Sequence, residues 1–185
     1  MANPFLQTDF EIRWSQLTPG HIAPAIEQAL TDAQAAIDVI AARELSNVTF
    51  ENTFLALERS TERLNQAWGK VTHLQSVADS PELRDAHNAM LPKVSAFFAR
   101  IPLNAALWER LRAFWNTHAA DELNPVCSGV IWRRRSQISA SRARILPVEK
   151  RARFEALQSE LAQLTQKYSE NVLDATNAWE LDGRG

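Results

Sequence analysis

Four histidines, His21, His73, His87 and His118, are the side chains best suited to hold a metal ion. A zinc hydrolase needs two imidazoles one helical turn apart and a glutamate beside the first as general base. The closest pair here, His73 and His87, lies fourteen residues apart, and no histidine is followed by glutamate. Each is expected at the surface or supporting another group, and no metal ligand is assigned. Cys127 is the single cysteine. Nearby arginines would lower the pKa of its thiol, but no nucleophile signature surrounds it. No serine or threonine sits in a nucleophile elbow. Glu58 and Glu62 stand one turn apart, beside Arg59 and Arg63, which reads as a solvated helix face. No catalytic or cofactor-binding residue is expected.

The chain that would position such groups has 185 residues, enough for one domain with a real core. Twenty Lys and Arg against 22 Asp and Glu give a net charge of −2, which argues against a dedicated nucleic-acid binder. One cysteine excludes a disulfide scaffold. Five glycines, two of them in the last three residues, disfavour phosphate loops. The start has neither a basic nor an apolar targeting region, and no apolar run reaches membrane-spanning length. The expected protein is soluble and cytoplasmic, without membrane or nucleic-acid partners.

Abundant Ala, Leu, Glu, Gln and Arg favour helix, and the expected fold is all-α, an elongated bundle of antiparallel long helices. Residues 1–181 read as a single helical domain, and 182–185 as a truncated tail. Residues 1–20 form an irregular arm, with Phe5, Phe10, Ile12, Trp14 and Leu17 available to pack it down. A first helix starts near Ile22 and carries Ala25, Ile26, Ala29, Leu30, Ala33, Ile37 and Ile40 at helical spacing. After a break over 46–52, Phe54 to Leu74 mark a second. Ser80-Pro81-Glu82 caps a third, and a fourth follows Pro102. The last helix, within 147–180, repeats Phe154, Leu157, Leu161, Leu164 and Tyr168. At roughly 47 Å it needs a partner surface along one side. Trp68, Trp108 and Trp115 are expected in the core. Trp179 is expected to pack on the arm or on an absent partner.

Residues 126–146 form a disrupted basic segment. From 133 to 153 the net charge is +7, and the rest of the chain carries −9. Arg133–Arg144 beside Trp132 has the composition of an RNA-binding stretch, with no apolar period through it.

Four stretches carry a family resemblance. They are Asn3-Pro4-Phe5-Leu6, Ile22–Leu30, Thr49-Phe50-Glu51-Asn52-Thr53 and Lys167–Thr176, with support from Val71–Leu74 and Ala78–Arg84. In order along residues 3–181, the chain resembles the N-terminal helical region of oligopeptidase A-like members of the thimet oligopeptidase family of zinc metallopeptidases. The resemblance implies part of a zinc endopeptidase that cuts short peptides in a channel between helical lobes. The family's zinc site lies downstream of the matched region, so no metal or catalytic residue carries over, and this chain alone is expected to be inactive. Its expected partners are short peptides or the missing catalytic lobe, with self-association through the uncovered helical face. A free-standing helical interaction module, a nucleic-acid binder through Arg133–Arg144 and a piece of a split peptidase are the alternatives.

Residues 127–145 depart from the family pattern, which returns at Leu146-Pro147. Family members carry something like Asp-Phe-Arg-Leu-Ser-Gly-Ala there. Codons for that heptapeptide, read one nucleotide later, yield Ile138–Arg144 as they stand here. The segment is therefore expected to be translated out of frame. Coding DNA without a compensating gain and loss around it would refute this.

Overall fold

The computed structural model describes residues 3–117 and 148–179. These are helical, with no strand among them. The α-helices are α1 (Ile22–Ala41), α2 (Ala56–Val77), α3 (Pro81–Arg100), α4 (Ala105–Thr117) and α5 (Val148–Asn177). The segment 126–146, with Cys127, Trp132 and Arg133–Arg144, lies outside the described residues, as does His118.

Helix α1 sits at the centre and packs on α2, α3 and α4. Its buried residues are Ile22, Ala25, Ile26, Ala29, Ala33, Ile37 and Ile40, at steps of three and four apart from the adjacent pair Ala25 and Ile26. That spacing puts all seven on one stripe. Alanine on the stripe lets neighbouring helix axes approach closely. Leu64 and Val71 from α2 and Phe114 from α4 complete the centre, each fully buried. Each such side chain contributes about 1.5–3 kcal/mol by leaving water. Phe114 meets the rings of Phe50 and Phe54 at 6.2 and 5.6 Å between centroids.

The second helix is preceded by a turn that starts inside the expected break. A π turn, Glu51–Leu55, leads into α2. Thr49 and Asn52 build the start reciprocally. The Asn52 N–H donates to Thr49 Oγ1 at 3.1 Å, and the Thr49 N–H donates to Asn52 Oδ1 at 2.9 Å. This is a capping box with asparagine in the acidic place. Helix α3 starts as its sequence indicates. Ser80 Oγ accepts from the Leu83 N–H at 3.2 Å, and Pro81 occupies the first turn. It runs on through Pro92, which removes the N–H that would have reached the Asn88 carbonyl.

The arm is held unevenly. Phe5 is buried and Leu17 packs on the core, but Phe10 is fully exposed and Trp14 and Ile12 remain over a third exposed. Lys70 on α2 does what the apolar anchors do not. Its ammonium donates to the carbonyls of Phe5 and Gln7. Trp68, Trp108 and Trp115 are partly buried against the core, whereas Trp179 is 70% exposed.

Candidate functional surface

Helix α5 lies antiparallel along α3 and is clasped to it by polar groups. Arg84 donates to both carboxylate oxygens of Asp174, at 3.0 and 2.6 Å, and its Nε donates to Asp79 at 2.7 Å. The hydrogen bond from Arg84 holds the Asp174 carboxyl below its ordinary pKa. One turn along each helix, Asn88 Nδ2 donates to Glu170 Oε1 at 3.0 Å, and Gln166 donates to the same oxygen. At the far end Arg100 Nε donates to Glu155 Oε2 at 2.9 Å.

This seam leaves the apolar stripe of α5 uncovered. Glu155, Gln166 and Glu170 lie roughly 120° or more around the helix from Leu157, Leu161, Leu164 and Tyr168, taking 100° per residue. Those four are 45%, 58%, 59% and 70% exposed, and Val172 beside them is 47% exposed. The expectation that the long helix needs a surface along its apolar side therefore meets a different arrangement. Among the described residues it rests on α3 by its polar side. Scattered exposed apolar residues are ordinary, but a contiguous row over three turns marks an interaction surface.

The histidines do not gather. His21 Nδ1 lies 2.9 Å from Thr18 Oγ1, and His73 is exposed against Trp14 at 4.9 Å between rings. His87 corrects the surface expectation. It is 2% exposed and stacks on Trp68 at 4.8 Å. Its place follows from spacing, because Leu83, His87, Met90 and Val94 make one buried line on α3. Burial lowers its pKa, partly offset by a hydrogen bond with Asn88 and the charge of Glu170. Glu58 and Glu62 are exposed on α2 as a solvated face. Among the described residues no three His, Cys, Asp or Glu side chains come together as a metal site would require. These residues do not fit a zinc ion.

A cleft of about 350 Å³ opens between the arm and α2, lined by Asp9, Phe10, Trp14, Gln66 and Lys70 among others. Burial lowers the Lys70 pKa, and the Asp9 charge raises it in part. With two of its three donors spent on arm carbonyls, the ammonium fastens the chain rather than offering a free amine. Lys70, Arg84 and Asp174 went unassigned from the sequence. Asp174 lies inside the recognised stretch 167–176, but its partner is ninety residues away and no spacing links them.

Among the described residues no helix is long and apolar enough to cross a membrane. Comparison with known proteins gives a consistent result. The family profile described as "Neurolysin/Thimet oligopeptidase, N-terminal domain" matches residues 25–141. Oligopeptidase A of Haemophilus influenzae is 32% identical over 180 residues, covering 97% of this chain and 26% of the relative. Oligopeptidase A of Escherichia coli is 31% identical over the same length, with the same coverage. A probable cytosolic oligopeptidase A of Arabidopsis thaliana is 26% identical over 181 residues, again 97% of this chain and 25% of the relative. The chain thus spans about a quarter of the length of the relatives it matches.

Proposed function

This chain belongs to the neurolysin/thimet oligopeptidase family, and from that premise we propose that it is the non-catalytic N-terminal part of an oligopeptidase A-like zinc metalloendopeptidase. One helical domain over residues 1–181 supplies part of the wall of a channel in which short peptides are cut. Zinc and the general base belong to the three quarters that the relatives have beyond the match, so this part hydrolyses nothing by itself. It works in the cytoplasm, with the catalytic part or short peptides as its partners. The observation that carries this reading is the coverage: 97% of this chain aligns with only 26% of the Haemophilus oligopeptidase A. The uncovered row Leu157–Tyr168 on α5 supports it as the surface a catalytic lobe would bury.

The test is complementation. The chain is mixed with a separately produced catalytic portion of a bacterial oligopeptidase A, and hydrolysis of a quenched short peptide is followed with zinc present. Activity well above that of the catalytic portion alone is expected, with none from the chain alone. No gain, or chelator-sensitive hydrolysis by the chain alone, would overturn the reading. The exposed row also favours a second reading, a free-standing helical interaction module.

A further inference from the structure

We propose that, where no catalytic part covers it, α5 pairs antiparallel with α5 of a second copy of this chain. The inference rests on the reading above only in that the stripe is left uncovered. Leu157, Leu161, Leu164 and Tyr168 step by four, three and four, the heptad rhythm by which one helix inserts side chains between those of another. All four are exposed.

The charges beside the stripe choose the occupant. Arg153, Glu160, Lys167 and Asp174 follow one another at steps of seven along one flank, alternating in sign, and all are exposed. In an antiparallel pair, flanking positions of the same kind face each other across the seam. Setting Leu161 level with Leu164 of the second copy sets Leu157 level with the second copy's Tyr168. The same register brings Glu160 opposite the second copy's Lys167, and Arg153 opposite its Asp174. By two-fold symmetry each match occurs twice. A parallel pair would instead face Arg153, Glu160 and Lys167 with Gln158, Thr165 and Val172, none of them charged. Asp174 is already engaged by Arg84, so the inner match of Glu160 with Lys167 discriminates most.

Sedimentation equilibrium of the full chain over a concentration series tests this. The average mass is expected to rise from 20.8 kDa towards twice that value. Glu160→Lys turns two attractions into repulsions and should weaken the dimer roughly tenfold. Adding Lys167→Glu to that variant should restore pairing, with circular dichroism showing equal helix content in all three. A chain that stays monomeric throughout, or a dimer indifferent to Glu160→Lys, overturns the proposal. Complementation of a catalytic part is a separate readout, so either reading can fail without the other.

Discussion

Arg84 on α3 grips both carboxylate oxygens of Asp174 on α5, ninety residues further along the chain. The same guanidinium reaches Asp79 just ahead of α3, so one side chain ties a helix start to a distant helix end. Bidentate geometry of this kind fixes direction as well as distance.

Because that fork sets where α5 lies, Arg84→Ala should loosen α5 before it affects the core. Hydrogen exchange is expected to speed up along 148–177 and to stay slow in α1. Acid should act in the same way. The folded-state pKa of Asp174 is depressed, so its contribution is present above the unfolded value of about 3.9 and is lost as pH falls through the lower folded value. Equal exchange in α1 and α5 of the variant would show that the fork does not set the position of α5.

Removing the Lys70 ammonium leaves the Phe5 and Gln7 carbonyls without their donor. Lys70→Met keeps the apolar stem, so the loss is polar, about 1–3 kcal/mol. Urea unfolding should show that drop, and limited proteolysis should cut the arm near Arg13 faster. An unchanged cleavage rate would mean that Phe5, Leu17 and the Asn3–His21 hydrogen bond hold the arm without the ammonium.

His87 should make the fold acid-sensitive in a window that its surface neighbours do not explain. Burial lowers its folded pKa below the unfolded value of about 6.5. Between those values the unfolded chain binds a proton that the folded one refuses, so stability falls as pH drops through the window. Urea midpoints at pH 7.5 and 5.5 should diverge for the wild type and converge for His87→Phe, a ring that can still stack on Trp68. Equal pH dependence in both would assign the effect elsewhere.

At the entry to α2, Asn52→Ala removes the acceptor for the Thr49 N–H and the donor to the Asn47 carbonyl. Loss of a helix cap costs about 0.5–2 kcal/mol. The thermal midpoint should fall accordingly, with Asn52→Asp recovering part of it through the remaining acceptor. A substitution to alanine without effect would show that the π turn stands on the packing of Phe54.

The sequence was most informative where one side of a helix meets one environment. The Ile22–Ile40 series of α1 is buried as its spacing indicates, because every residue on that stripe faces the same core. Ser80-Pro81 was legible because a cap is a local hydrogen bond. Period alone shows that a face is apolar and not what covers it, and so the row on α5 indicates only a side in need of a partner. Lys70 with Phe5 and Arg84 with Asp174 are contacts made by tertiary folding over 65 and 90 residues. The chemical type of His87 points to the surface, whereas its spacing with Leu83, Met90 and Val94 places it on the buried line. The family itself is visible in short stretches such as 22–30 and 167–176; the profile match over 25–141 takes in most of the first, and the 180-residue alignment with the Haemophilus relative spans both.

The Lys70 clasp also imposes an order on biosynthesis. Phe5 leaves the ribosome 65 residues ahead of the ammonium that fastens its carbonyl, which at ordinary elongation rates is on the order of 3–13 s. Throughout that delay the arm's polar tether is the Asn3 side chain on the His21 carbonyl, and α1 must emerge with its isoleucines bare until α2 follows. Factors that shelter emerging polypeptides should therefore engage this chain early and let go once the second long helix has cleared the exit tunnel.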